Sequence, residues 1–178
     1  PTEQILKILN QYNVHATFFL MGSNVDKYPL LTKQIVGYGN VIGNHSDDHS
    51  RFLPVFTRAR LAENLAKAET SIVRATGLRP LLFRPPYGNA STYMLREIER
   101  EGYTVVVYTV DPRDWDYPHS SSSEIVKRVV EATVPGSIIL LHDGRDTHRF
   151  YPRDNTITAL PEIITKLQAQ GYEFVTVD

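Results

Sequence analysis

The chain has no cysteine among its 178 residues, so disulfides and thiolate metal sites are both excluded, and any bound metal must be held by His, Asp or Glu. It has no excess of charge of either sign. Nineteen Lys and Arg stand against twenty Asp and Glu, scattered along the chain rather than clustered, which argues against nucleic acid or an anionic lipid surface as partner. Long apolar runs are missing too. Nothing approaches the roughly 20 residues that span a bilayer, and the opening Pro1-Thr2-Glu3-Gln4 does not read as a secretory signal. What is present, 42% apolar and 22% charged residues over this length, suits one packed domain covering residues 1–178.

Two apolar periods alternate along the chain. Ile5, Leu6, Ile8 and Leu9 recur at helical spacing, and Ala16 to Gly22 then reads as a buried strand closed by glycine. Helices are predicted over Pro29–Tyr38, Thr57–Ala75, Ser91–Glu101, Ser123–Val134 and Thr156–Gln170. Strands are predicted over Asn40–Gly43, Leu81–Phe83, Thr104–Val110, Ser137–Leu141 and Glu173–Val177. Continuous apolar strands separated by amphipathic helices predict an α/β fold with a parallel sheet. In such folds active sites collect on loops after strand C-termini. Four polar clusters occupy that position: His45-Ser46-Asp47-Asp48-His49, Arg84-Pro85-Pro86-Tyr87-Gly88, Asp111-Pro112-Arg113-Asp114-Trp115 and His142-Asp143-Gly144.

His45 and His49 are four apart, so a helical turn over Ser46–Ser50 would put both imidazoles on one face, able to share a metal. The competing reading is two surface or capping histidines. Asp47 or Asp48 could add a carboxylate ligand, although residues between the two histidines would mostly point away. His142 ends the most apolar strand and is either structural or a general acid, with Asp114 as its candidate partner. Arg84 opens a proline-locked turn, as a surface ion-pair former or as a functional group. Trp115, the single tryptophan, fits a pocket wall better than core filler. His15, His119 and His148 receive no role.

Taken in order, these motifs resemble the polysaccharide deacetylases of carbohydrate esterase family four, a group that includes chitin and peptidoglycan deacetylases and acetylxylan esterases. The likeness runs the length of the chain: Ala16-Thr17-Phe18-Phe19 through Gly43-Asn44, then His45 to His49, Arg84 to Gly88, Asp111 to Trp115, and Leu140-Leu141-His142. The resemblance implies a distorted, incomplete (β/α) barrel and removal of acetyl groups from a polysaccharide such as chitin, peptidoglycan or acetylxylan. It implies a divalent metal, zinc first, with cobalt, nickel or manganese as alternatives, held by His45 and His49. The Tyr87 amide would help hold the oxyanion. Arg84 would orient the base, Asp114 would tune His142 as general acid, and Leu140 with Trp115 would line the acetyl pocket. The family's location implies a secreted or cell-surface protein.

One departure stands out. No segment of the sequence reads as the family's Thr-Phe-Asp-Asp-Gly-Pro motif, whose two aspartates supply the third metal ligand and the catalytic base. The first barrel strand is therefore expected to be absent from this chain, and a preceding segment or a second chain is expected to complete the barrel. These 178 residues alone are expected to bind metal weakly and to hydrolyse little. A non-catalytic saccharide-binding protein and a small cyclic amide hydrolase on the same barrel remain the alternatives.

Overall fold

The computed structural model describes residues 1–144 and 152–177. They form two compact units, each assembled from separated stretches of chain: a strand unit of Ala16–Val107 with the residues from Thr176 onward, and a helical unit of Pro1–His15 with Tyr108–Val175.

The strand unit is built on a parallel sheet in the order β1-β2-β3-β4, namely Thr17–Leu20, Val41–Asn44, Leu82–Phe83 and Thr104–Val105. Its helices are α2 (Gly22–Lys27), α3 (Pro29–Gly37), α4 (Arg58–Thr76) and α5 (Thr92–Arg100), numbered after α1 of the helical unit, Thr2–Gln11. Helix α4 starts at an N-cap threonine, Thr57, whose hydroxyl accepts from the Arg60 amide, and stops at Gly77 in the left-handed conformation. The stripe anticipated from helical spacing, Leu61, Leu65, Ala68 and Ile72, is buried. Leu61 and Leu65 join Leu53, Phe56, Phe83, Met94, Ile98 and Tyr103 in the core of this unit.

Gly43 lies where β2 passes the Phe19 ring. A Cβ at that position would come within 2.5 Å of Phe19 Cδ1 and 3.1 Å of the Leu82 carbonyl oxygen. Gly43→Ala is therefore expected to destabilise the fold by about 1–3 kcal/mol through overpacking, read as a lower urea midpoint at unchanged slope.

In the helical unit, α6 (Ser122–Ala132) and α7 (Asp154–Ala169) bury Ile125, Val126, Val129, Ala159, Ile163 and Leu167 against one another, with Ile139 and Leu141 packed on them. Helix α6 begins earlier than its apolar pattern suggests. Ser121 is its cap, because Glu124 three residues on closes a reciprocal capping box with Ser121.

Three predicted strands shrink. Thr104–Val110 keeps its ladder only at Thr104–Val105, and Ser137–Leu141 contributes a single parallel bridge, Ile139 to Val110. Glu173–Val177 carries no ladder, although the Val177 amide donates to Thr17 Oγ1 at 2.9 Å. Apolar runs report burial, whereas a ladder needs a neighbour in register. Helix α2, directly after β1, is an element the glycine at position 22 concealed.

Candidate active site

Strand β2 ends at Asn44, and the chain then turns at the rim of the sheet, with the His45 amide donating to the Leu20 carbonyl. The turn is not the helical one that the spacing suggested. Ser46 and His49 both take left-handed backbone, at φ 66° and 54°, a conformation that costs non-glycine residues and persists only where contacts enforce it. Side chains do the enforcing: the Ser46 amide donates to Asn44 Oδ1 at 2.9 Å, the Asp47 amide to Asn64 Oδ1 at 3.0 Å, and the His49 amide to Ser46 Oγ at 3.0 Å.

The result still juxtaposes the imidazoles. The rings of His45 and His49 stand 4.9 Å apart, edge to face, at 63°. His45 Nδ1 lies 2.6 Å from the Arg84 carbonyl oxygen; a carbonyl only accepts, so Nδ1 carries a proton, and in the neutral ring the lone pair is then on Nε2. Asp47 and Asp48 are turned toward α4. Lys67 Nζ reaches Asp47 Oδ2 at 2.6 Å, and Asn64 Nδ2 reaches Asp48 Oδ1 at 3.1 Å.

The Arg84 turn is adjacent. Its guanidinium lies 4.1 Å over the Phe19 ring and donates to the Val106 and Val107 carbonyls. Tyr87, also left-handed at φ 59°, sets its ring 4.5 Å from that of His49, with the Arg51 guanidinium 5.7 Å from the Tyr87 ring centre. Two imidazoles suit two positions in the shell of a first-row divalent cation. Among the described residues no cluster of three His, Cys, Asp or Glu joins them.

The helical unit holds the second cluster. Asp114 is 4% exposed, and its Oδ1 accepts from His142 Nδ1 at 2.7 Å. Its Oδ2 accepts from the His142 amide and from Thr156 Oγ1, each at 2.8 Å. Arg153, also buried, donates from Nη1 to the Asp114 carbonyl at 3.5 Å and from Nε to the Gly144 carbonyl at 3.0 Å. Burial alone would raise the Asp114 carboxyl. The hydrogen bonds and charge of His142 with the Thr156 hydroxyl outweigh it and hold the group below the usual carboxylate value.

The sign follows. A carboxylate with a depressed folded-state pKa adds stability that is fully present above its unfolded value of about 3.9 and lost as the pH falls through the lower folded value. Urea unfolding followed from pH 7 down to pH 2 should show that acid limb, and Asp114→Asn should remove its contribution.

Thr156 and Arg153 were not singled out from the sequence. Thr156 read as a helix start, and nothing in the order of residues ties it to Asp114, 42 positions earlier.

Trp115 donates from Nε1 toward both Asp111 carboxylate oxygens, at 3.3 and 3.4 Å, with the Arg113 guanidinium 5.3 Å from its ring centre. It is 40% exposed, at the surface rather than in the core. Leu140 is nearly buried, its amide bonded to the Val110 carbonyl. His119 pairs with Asp116 at the surface, and His148 lies outside the described residues.

Comparison with known proteins gives this arrangement a context. The sequence model of the polysaccharide deacetylase family matches residues 1–106, which include His45, His49, Arg84 and Tyr87. A peptidoglycan-N-acetylglucosamine deacetylase of Bacillus cereus is 36% identical over 178 residues, covering 99% of this chain and 79% of its own. The peptidoglycan-N-acetylglucosamine deacetylase PgdA of Listeria monocytogenes is 34% identical over 177 residues, and there the chain spans only 35% of the relative's length.

Two solved structures carry the likeness into three dimensions. The Bc1960 peptidoglycan N-acetylglucosamine deacetylase superposes with a TM-score of 0.91 at 34% identity, over 99% of this chain and 79% of that one. BA3943 of Bacillus anthracis, described as a CE4 family pseudoenzyme, superposes at 0.88 and 30% identity, over 99% and 58%. The α/β fold is that of these deacetylases.

Proposed function

Since the chain belongs to the polysaccharide deacetylase family, we propose that it removes N-acetyl groups from an amino-sugar polymer of the peptidoglycan kind, with a divalent cation, zinc first, held by His45 and His49. The observation that carries this reading is the histidine pair itself: two rings 4.9 Å apart, one with its Nδ1 committed to a carbonyl. Support for the substrate comes from the similar proteins, several of which are named for peptidoglycan. Such a polymer lies outside the cytoplasmic membrane, which is where the protein would act.

A bound cation would polarise the acetyl carbonyl and stabilise the developing negative charge. Water would attack the acetyl carbon and give its proton to a base, a part the family resemblance assigns to the aspartate motif that no segment of this sequence matches, and the chain's own groups take the other parts. The Tyr87 amide donates to the oxyanion, and the Pro85-Pro86 turn holds that amide in place. In the helical unit the part of general acid falls to His142, whose Nδ1 is engaged by Asp114 and whose Nε2 would pass a proton to the departing amine. Asp114 stays ionised throughout, fixing the ring's tautomer and orientation. The resemblance would give Leu140 the acetyl methyl, and Trp115, steadied by Asp111, the sugar.

Acetate release from N-acetylated chito-oligosaccharide and peptidoglycan fragments by the full-length protein with zinc tests the reading. No release from either would sink it. The similarity to a family pseudoenzyme favours a second reading, saccharide binding without hydrolysis. Saturable oligosaccharide binding with no acetate formed would establish that one instead.

A further inference from the structure

The turn that carries His45 and His49 depends on one buried side chain outside the histidine motif. Asn44, fully buried, accepts the Ser46 amide on Oδ1 and donates from Nδ2 to the Leu65 carbonyl of α4 at 3.0 Å. That carbonyl can only accept, so the amide cannot flip, and its oxygen faces Ser46. The second Nδ2 hydrogen goes to the Tyr103 hydroxyl at 3.1 Å.

Tyr103 then donates onward to Glu69 Oε2 at 2.5 Å, and Glu69 is paired through Oε1 with Arg79 Nε at 3.0 Å. Burial, and next the Glu69 bond, push the Tyr103 phenol well above its ordinary value, so its oxygen keeps the proton it donates and stays an acceptor for Asn44. Each member has one direction open to it. The chain of bonds therefore runs from a charged pair on α4 and the loop after it to the amide of Ser46, one residue from His45, whose hydroxyl holds His49.

We propose that Asn44, Tyr103 and Glu69 act as a positioning relay that sets the left-handed turn at Ser46 and with it the mutual direction of the His45 and His49 rings. The inference rests on the reading of those rings as cation ligands. Tyr103 and Glu69 touch neither ligand nor substrate; they act through Asn44. Partners that orient metal-binding imidazoles typically change affinity by tenfold or more when removed.

Tyr103→Phe removes only the hydroxyl and keeps the ring packed against Phe83, 6.2 Å away between centroids. Zinc titrations of the full chain, followed through the ring signals of His45 and His49 by NMR, are expected to give a Kd about tenfold weaker for Tyr103→Phe. Glu69→Ala, at a half-buried position, should weaken binding in the same direction by a smaller factor and serves if the first variant does not fold. Tyr172→Phe, which loses a comparable hydroxyl bond to the Thr133 carbonyl in the helical unit, should bind as the wild type does. Wild-type affinity in both Tyr103→Phe and Glu69→Ala would overturn the relay, as would equal weakening in Tyr172→Phe. Zinc binding that survives His45→Ala unchanged would instead overturn the reading of the histidines on which the relay rests.

Discussion

Replacing His142 by alanine in the full-length protein is expected to lower the turnover of an N-acetylglucosamine oligomer by roughly 10²- to 10⁴-fold, the range that a positioned acid contributes. The amine leaving an acetamide is a poor leaving group until it is protonated, and among the groups of this cluster His142 is the one with a ring nitrogen to spare. KM should move far less than kcat, because the acid acts on the departing atom and not on the bound sugar.

Asp114→Asn makes the same point differently. Asp114 accepts on both oxygens, from the His142 ring on one side and from the His142 amide and Thr156 hydroxyl on the other. An amide must turn its NH₂ toward one of those donors, so the ring is lost or misdirected in either orientation. If His142→Ala keeps turnover within a few-fold of the wild type, the general-acid role is wrong.

The second large effect concerns the other cluster. A His45→Ala, His49→Gly double variant should lose saturable zinc binding and should release acetate about a thousandfold more slowly, the scale of several kcal/mol of charge stabilisation at the reacting carbonyl. Glycine is chosen at position 49 because the backbone there is left-handed, at φ 54°, where a glycine relieves strain that alanine would retain. The fold should therefore survive a change that the site cannot. Calorimetric zinc titration with circular dichroism separates the two, and a double variant that binds zinc as tightly as the wild type would refute the assignment.

The histidine pair also shows where reading along the chain stops. The i, i+4 spacing brought His45 and His49 together for a reason that does not operate: a helical turn was invoked, and the backbone instead reverses through two left-handed residues. The pairing emerged anyway because the turn follows a strand end, which the apolar run before Gly43 made visible. Helix α6 starts at Ser122, one residue before the apolar period places it, and the Ser121–Glu124 spacing is the stronger signal for its start. Ser137–Leu141 and Glu173–Val177 read as strands but form no ladder, because hydrophobicity measures burial and is silent about pairing.

What the sequence determined by itself was the alternation of apolar strand and amphipathic helix, the placing of the His45 and Arg84 clusters directly after strand ends, and a donor set confined to imidazole and carboxylate. Those are local properties, carried by period, by punctuation and by the absence of cysteine. Only the tertiary structure decided which tautomer His45 takes, that Thr156 and Arg153 brace Asp114, and that Asn44, Tyr103 and Glu69 stand behind the turn. These depend on hydrogen bonds between residues from 34 to 59 positions apart. Such bonds are set by where the buried faces bring the chain together, and no short-range pattern encodes that distance.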